Sequence, residues 1–319
     1  MKKISFLIPT FNEEGNVEIL SKEIIRNIEI LNNYDFEIVF IDNCSSDETR
    51  NKITNLCLEN KKIKAIFNAR NFGQIRSPFY GLTQCSGDAV ILICADFQDP
   101  PELILDFIKE WENGYKIVIG KKVESQENPI MYFFRTIYYK TIKKIAEVEQ
   151  IEHFTGFGLY DKKFIEILRK LDDPMPYLRG IVAELGFERK EIPYKQNKRK
   201  SGKTKNNFYS LYDFGMIGIT SYSKVVMRLA TIFGFFSSGI SLLIAVVYLI
   251  LKLMYWDLFS AGTAPILIGV FFLGSIQLFF IGLLGEYILN INTRVMKRPL
   301  VIEEERINFE SNSEENING

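Results

Sequence analysis

Three polar stretches in the first hundred residues carry the side chains that a metal or nucleotide site requires. They read PTFNEE (Pro9–Glu14), DNCSSD (Asp42–Asp47) and DFQDPPE (Asp96–Glu102), and a short apolar run precedes each of them. Asp96 and Gln98 are two residues apart, so in an extended chain they face the same side. Carboxylate and amide oxygens in that arrangement suit Mg²⁺ or Mn²⁺ together with phosphate oxygens. The spacing therefore predicts that Asp96 and Gln98 bind a divalent metal.

Each stretch also has a plainer interpretation as a turn that caps the next helix. Pro9 cannot continue a hydrogen-bond ladder, and an asparagine followed by acids suits a helix start. Two prolines and an acid likewise suit a first helical turn. A surface turn without a metal explains Asp99 and Glu102, but it explains Asp96 and Gln98 less well.

The elements that position these stretches are predicted from hydrophobic patterning. Helical patterns such as 16–31 and 46–58 lie between apolar runs rich in Ile, Val and Phe. The predicted strands are Ile4–Ile8, Phe36–Ile41, Ile63–Phe67, Ala89–Cys94 and Lys116–Ile119. Strands that alternate with helices predict an α/β fold with a mostly parallel sheet covered on both faces. Ligands of such sheets bind beyond the carboxyl ends of the strands, where the three polar stretches would meet.

Composition excludes some classes of function and favours a membrane. The 319 residues carry 39 basic and 39 acidic side chains, and this zero net charge gives no case for nucleic-acid binding. Hydrophobic residues make up 47% of the chain, which is high for a purely soluble protein. The four cysteines include no CxxC pair, so they are predicted to be free thiols in a reducing cytoplasm.

Two long uncharged segments predict two transmembrane helices. Residues 229–251 and 264–284 each exceed the roughly 20 residues that span a bilayer, whereas a buried soluble helix is the weaker alternative. Basic residues flank the outer ends, and the linker has only Lys252. The flanking residues are Lys224, Arg228, Arg294, Lys297 and Arg298. This asymmetry predicts a multi-pass protein of the cytoplasmic membrane, with both termini and the α/β domain in the cytoplasm.

The predicted domain organisation follows from these segments. Residues 1–205 form the catalytic domain, 206–227 an amphipathic segment beside the membrane, and 228–291 the membrane region. The remaining residues, 292–319, form a cytoplasmic tail. Beyond Ile302 this tail is acidic and rich in asparagine, which predicts disorder.

Taken together, the motifs resemble one enzyme family. IPTFNEE, FIDNCSSDET, ARNFG and ADFQDPPE, in this order, resemble glycosyltransferases of family 2 with the GT-A fold. MPYLRG, RKSGK, GEYI and KRPL extend the resemblance to the polyprenyl-phosphate group, which includes bactoprenol glucosyltransferases and dolichyl-phosphate mannose synthases. It covers roughly residues 1–302.

The resemblance implies the reaction, its partners and the roles of individual residues. The reaction is inverting transfer of one sugar, from UDP-glucose or a similar nucleotide diphosphate-sugar, to undecaprenyl phosphate at the cytoplasmic membrane face. Mg²⁺ or Mn²⁺ is the cofactor, and some members of the group assemble as homo-oligomers (tetramers). The implied donor-binding residues are Pro9, Phe11, Asn12, Glu13, Asp42, Arg70, Asn71, Gly73, Asp96 and Gln98. Asp96, Lys122 and Arg135 are the implied catalytic residues, and Arg199, Ser201 and Lys203 are implied to hold the acceptor phosphate.

The chain departs from the family pattern at two positions. Relatives write DADLQ where this chain has Cys94 in place of the first acid, and we expect Cys94 to be a small buried residue at the strand end. Relatives also have a catalytic Asp where this chain has Gly156, and Gly158 takes the position of an Arg. A phosphate acceptor is already anionic near pH 7, so a general base is less necessary. The alternatives are a hydroxyl-directed membrane glycosyltransferase, although the QxxRW motif is absent, and a nucleotide-sugar binding protein without catalysis.

Overall fold

The computed structural model describes residues 1–31, 33–124, 151, 154–197, 263–296 and 298–309, together with scattered positions between 216 and 254. The chain forms two compact units. The first contains 1–139, 149–206 and 296–319, and the second contains 140–148 and 207–295.

The first unit contains one mixed sheet of eight strands in the order β7-β5-β6-β4-β1-β2-β3-β8. The strands are β1 (Lys2–Thr10), β2 (Tyr34–Asp42), β3 (Ile63–Asn68), β4 (Ala89–Leu92), β5 (Ile117–Glu124), β6 (Phe154–Asp161), β7 (Arg189–Lys195) and β8 (Glu303–Ile307). Neighbours β4, β1, β2 and β3 are all parallel, whereas β6 and β8 are antiparallel to the strands beside them. The predicted mostly parallel sheet is confirmed, and the carboxyl ends of β1 to β4 meet at one edge.

Helices cover both faces of the sheet. They are α1 (Val17–Glu29), α2 (Thr49–Glu59), α3 (Gly73–Gln84), α4 (Leu103–Glu112), α5 (Lys162–Lys170) and α6 (Leu178–Glu184). One buried cluster joins α1, α2 and α4 to the sheet, and a second joins α3, α5 and α6 to the other face. In β1, Phe6 and Ile8 enter the first cluster while Leu7 enters the second, as the alternation of side chains along a strand requires.

Several predicted boundaries were wrong near the polar stretches. Strand β1 runs through Pro9 to Thr10, so the proline does not end the strand and only removes one donor from it. Strand β4 ends at Leu92, two residues before Cys94. Asp96 and Gln98 therefore do not lie in extended chain, and the predicted geometry for that pair is incorrect. Helix α4 begins at Leu103 with Glu102 as its N-cap, so the two prolines lie just before the helix rather than in its first turn.

Residues 303–309 are ordered, although the sequence predicts disorder beyond Ile302. Glu303–Ile307 forms the edge strand β8, which pairs antiparallel with β3. Arg50 donates to Glu304 at 2.8 Å and to Glu305 at 2.9 Å, so the acidic side chains are paired on the sheet. Acidic composition predicts disorder because it cannot form a core, but an edge strand needs only its backbone ladder. Residues 310–319 lie outside the described residues.

The second unit contains the long helix α7 (Thr263–Val295), which covers the predicted span 264–284. Its segment Phe272–Val295 is long and apolar enough to cross a membrane. Among the described residues, this is the one helix that meets both criteria. The described positions of the other predicted span, 229–251, are helical and expose apolar side chains such as Phe236 and Leu243. Many positions of that span, and nearly all of 206–227, lie outside the described residues.

Candidate functional site

The loops that leave β1, β2 and β4 each contain one residue in the left-handed backbone region. These residues are Asn12 with φ 56°, Cys44 with φ 64° and Phe97 with φ 59°. Asparagine tolerates this region, but a phenylalanine there is strained and needs compensation from its surroundings. The Phe97 side chain is only 3% exposed, so its burial in the core provides that compensation. All three residues lie just beyond the carboxyl ends of β1, β2 and β4, at one edge of the sheet.

The loops after β1 and β2 are bonded to each other. The Asn12 side chain accepts from the Ser46 amide at 2.8 Å, and the Asn12 amide donates to the Ser45 hydroxyl at 2.8 Å. The Glu13 amide donates to the Thr49 hydroxyl at 2.8 Å. The predicted donor-binding residues Asn12 and Glu13 are therefore held by the next loop, and half-buried Phe11 lies beside them.

Asp42 is almost completely buried, and its own loop uses both of its carboxylate oxygens. One oxygen accepts from the hydroxyls of Thr10 and Ser45, and the other accepts from the Ser45 amide at 2.9 Å. Burial raises the pKa of Asp42, although these hydrogen bonds oppose that shift. The structure thus places Asp42 at the predicted edge, where it fixes the shape of the loop.

Asn43 is a residue that the sequence analysis passed over. Its side-chain amide donates to the Asn71 side chain at 2.9 Å and to the Gly73 carbonyl, and its oxygen accepts from the Phe72 amide at 2.8 Å. It thereby fastens the RNFG loop after β3 to the loop after β2. Arg70, predicted as a donor contact, is exposed in this loop, with its guanidinium 4.0 Å from the Phe72 ring centroid.

The predicted metal ligands lie in a tight turn after β4. The backbone N–H of Gln98 donates to the Asp96 carboxylate at 3.1 Å, and Asp96 is 7% exposed. In the described residues no group of three His, Cys, Asp or Glu side chains could hold a metal ion. Mg²⁺ is commonly held by one or two carboxylates and by substrate phosphates, so Asp96 fits a metal that the substrate helps to bind. Gln98 extends this donor set with an amide oxygen.

A cluster of charged and polar side chains, the Lys122 cluster, adjoins this turn. The Tyr194 hydroxyl donates to Asp99 at 2.6 Å, and Lys122, Asp96 and Cys94 are the other groups that influence this carboxyl. Asp99 is 3% exposed, so its assignment to a surface turn is wrong. Burial raises the pKa of Asp99 even though Tyr194 and Lys122 oppose the shift, and desolvation lowers the pKa of Lys122. The position of Asp99 in DFQDPPE could have marked it as a site residue, but residue spacing alone does not show that its side chain is buried.

Cys94 differs from the expectation of a buried residue at the strand end. It lies beyond the end of β4 and keeps an exposed surface. Packing around its sulfur, together with the carboxylates of Asp99 and Asp96, raises the pKa of the thiol well above its usual range. The thiol is therefore neutral at pH 7 and does not supply the negative charge of the missing acid.

Gly156 and Gly158, where the sequence departs from the implied family pattern, have structural reasons to be glycine. Gly156 has φ +107°, and a Cβ there would meet the Leu92 side chain at 3.3 Å. A Cβ on Gly158 would lie 2.5 Å from the Val118 carbonyl of β5, so no larger side chain fits without moving the strands. At the end of β6, Asp161 accepts from the Lys163 amide and caps α5.

Four predicted residues lie outside the described residues. They are Arg135 and the acceptor-phosphate residues Arg199, Ser201 and Lys203. The structure adds one cationic side chain to the site. Arg179 on α6 lies near enough to influence the pKa of Lys122. The described site thus combines Asp96, Asp99, Lys122 and Arg179 beside the three strand-exit loops.

Comparisons with known proteins identify relatives along nearly the whole chain. Residues 5–186 match the model of the family described as "Glycosyl transferase family 2". The chain is 32% identical over 299 residues to the putative glycosyltransferase CsbB of Bacillus subtilis, covering 93% of this chain and 89% of that protein. It is 33% identical over 301 residues to the SfII prophage-derived bactoprenol glucosyl transferase of Shigella flexneri, covering 94% and 97%. A crystal structure of glucosyl-3-phosphoglycerate synthase from Mycobacterium tuberculosis has a TM-score of 0.49 at 15% identity, covering 69% of this chain and 78% of that one.

Proposed function

The chain belongs to glycosyltransferase family 2 and is a glycosyltransferase, and from this premise we propose that it transfers one sugar from a nucleotide diphosphate-sugar to polyprenyl phosphate. The observation that carries the proposal is the charged edge of the sheet, where Asp96, Asp99 and Lys122 lie beside loops held in fixed conformations. The full-length similarity to a bactoprenol glucosyl transferase supports undecaprenyl phosphate as acceptor and UDP-glucose or a similar compound as donor.

The donor would lie along the strand-exit loops. The bonded loops around Asn12 and Ser45 leave their backbone and side-chain groups in fixed positions, which suits the base and ribose of a nucleotide. The RNFG loop, fastened by Asn43, closes the same edge next to Arg70. Because these loops are already bonded to one another, little ordering is needed when the nucleotide binds.

The proposed reaction forms one bond and breaks one bond at the anomeric carbon of the sugar. An oxygen of the lipid phosphate attacks this carbon, and the bond between the carbon and the diphosphate oxygen breaks. The electron pair leaves with the nucleoside diphosphate, and attack from the opposite face inverts the configuration. A bound Mg²⁺ or Mn²⁺ would neutralise charge on the diphosphate. Lys122 and Arg179 are cations of the Lys122 cluster that can contact phosphate oxygens.

The residues around Lys122 suit an acceptor that needs no deprotonation. Gly156 occupies the position at which relatives have an acid, and its positive φ disfavours any side chain there. A phosphate oxygen is an anion near pH 7, so positioning and charge neutralisation suffice. A hydroxyl acceptor would require a base. Of the described carboxylates nearby, Asp99 accepts from the Tyr194 hydroxyl, and Asp96, the proposed metal ligand, accepts from the backbone N–H of Gln98.

Strand β8 supports the proposed two-span topology. Because β8 pairs with β3, the chain after α7 lies on the same side of any membrane as the catalytic sheet. If α7 crosses the membrane, the chain between β7 and β8 must cross it an even number of times. Residues 229–251, uncharged and long enough, are the candidate for the second crossing. The basic flanks favour the cytoplasmic face for the sheet.

The test is transfer of radiolabelled sugar into a lipid that organic solvent extracts. Membranes containing the full-length chain are given undecaprenyl phosphate, Mg²⁺ or Mn²⁺, and each of several UDP- and GDP-sugars. Asp96→Ala is run beside Asp106→Ala, which alters an exposed acid on α4. We expect label in the lipid with one donor, loss of label in Asp96→Ala, and normal transfer in Asp106→Ala. Donor binding without transfer from any sugar would favour a binding protein and refute the proposal.

A further inference from the structure

Three arginines lie near one another beside the RNFG loop. Arg70 lies in that loop, Arg76 lies in the first turn of α3, and Arg298 precedes β8. The Arg76 side chain is close enough to the other two that they oppose its charge. Within the part of the chain that the structure describes, none of the three forms an ion pair with a carboxylate. We call these residues the arginine cluster.

The local contacts hold the arginine cluster in place but do not neutralise it. Arg76 donates to the Met175 sulfur at 3.3 Å, and a thioether is a weak acceptor. Arg70 donates to the Asn71 carbonyl at 3.0 Å. The Ala69 amide donates to the Ile302 carbonyl at 3.0 Å, which joins the segment carrying Arg298 to the loop carrying Arg70. The positive end of the α3 dipole adds to the unfavourable charge around Arg76.

We propose that the arginine cluster binds a phosphate group carried by a membrane lipid. Guanidinium groups bind phosphate through paired N–H donors, and a bound dianion would relieve the repulsion within the cluster. A lipid is the favoured source because Arg298 lies only three residues after Val295, where the candidate membrane segment ends. Three residues reach at most about 11 Å, so Arg298 is held close to that end of the helix.

Two lipids carry the required chemistry, namely polyprenyl phosphate and an anionic phospholipid. The choice of polyprenyl phosphate rests on the proposed function, whereas the phosphate site itself does not. In either case the site uses none of the residues of the Lys122 cluster, the proposed metal turn or the basic loop 195–205, although Arg70 is also an implied donor-binding residue.

The experiment measures lipid binding by detergent-solubilised full-length protein as a rise in the midpoint of thermal unfolding. The probes are polyprenyl phosphate, phosphatidylglycerol and polyprenol, which lacks the phosphate. Arg76→Gln and Arg298→Gln are compared with Arg26→Gln, which removes an exposed arginine of α1. We expect each cluster variant to need roughly ten-fold more phosphate lipid for the same rise, as for the loss of one charge-assisted hydrogen bond. Arg26→Gln should match the wild type, and polyprenol should cause no rise.

The pattern across probes identifies the lipid. Weaker binding of polyprenyl phosphate alone would assign the acceptor, and weaker binding of both phosphate lipids would assign general anionic lipid. Unchanged binding of both lipids in both variants, or a change only in the KM for the sugar donor, would overturn the site. Arg76→Lys keeps the positive charge but lacks the paired N–H donors, and it replaces Arg76→Gln in the assay if that variant does not fold. Wild-type protein that binds lipid in this way but transfers no sugar would refute the proposed function and leave the site intact.

Discussion

Glu37 provides the sharpest quantitative prediction about stability. Its carboxylate is 2% exposed near the amino end of β2, away from the polar loops. Lys3 and Lys64 each reach it at 2.8 Å, and the Ser5 hydroxyl and Ser86 amide donate to it at 2.6 and 2.7 Å. Burial alone would raise the pKa of Glu37, but these four donors overcome it and lower the pKa from 4.5 to about 2.

The lowered pKa converts directly into free energy of unfolding. A difference of about 2.5 units, at about 1.36 kcal/mol per unit, gives about 3 kcal/mol. Because the pKa of the folded state is the lower one, this contribution is fully present above the unfolded value of 4.5. It is lost as the pH falls through the folded value of about 2. Glu37→Gln should therefore lower the free energy of unfolding by about 3 kcal/mol at pH 7, and the gap from the wild type should narrow below pH 4.5.

Urea unfolding of the full-length protein in a neutral detergent measures this gap, with the fluorescence of buried Trp111 as the signal. Asp35→Asn is the matched control on the same strand, because its pair with Lys62 is exposed on both sides. That control should change stability by less than about 1 kcal/mol. Equal effects of the two substitutions at pH 7, or a gap that stays constant down to pH 3, would refute the reasoning.

Three further substitutions test the site and its support. Asp99→Asn should lower kcat/KM about 100-fold, because Lys122 loses the negative charge that favours its protonated form. Steady-state kinetics measure this loss, with Asp106→Asn as the control. Asn43→Ala should raise the KM for the donor and lower the free energy of unfolding by about 2 kcal/mol, since it leaves the RNFG loop without its fastening; an unchanged KM would contradict that role. Gly158→Ala should lower the free energy of unfolding by about 1–3 kcal/mol in a denaturant titration, because its Cβ would overlap a carbonyl, and a neutral effect would show that the strands can move apart.

The sequence predicted the central strands well because their physics is simple. Strands β1 to β4 are buried on both faces, so they must be continuous apolar runs, and such runs are visible in the sequence. Strands β6, β7 and β8 were missed. Strands β7 and β8 lie at the two edges of the sheet and carry charged residues, whereas β6 is interior but contains two glycines, which weaken a strand pattern. An edge strand is stabilised by its ladder and by partners distant in sequence, such as Arg50, which composition does not reveal.

The position of several predicted site residues follows from their order in the sequence, whereas their roles stay predictions. Asp96, Asn12 and Asn71 do lie at the carboxyl edge of the parallel strands. Two features needed three-dimensional information. Asp99 is buried against Tyr194, a residue of a distant edge strand, and Asn43 contacts a loop nearly thirty residues away. Neither contact leaves a local signal in the sequence.

The measurement that tests the central claim most directly is acceptor choice by the purified full-length protein. Polyprenyl phosphate and polyprenol of equal length are offered with the sugar donor that supports transfer, and the product is identified by mass. The account predicts a sugar linked through phosphate to the lipid, and no product from polyprenol, because the Lys122 cluster supplies cations for a phosphate. A hydroxyl needs a base, and among the described residues the nearby carboxylates of Asp99 and Asp96 already accept hydrogen bonds. A glycosylated polyprenol, or release of free sugar with phosphate lipid present and no lipid product, would contradict it.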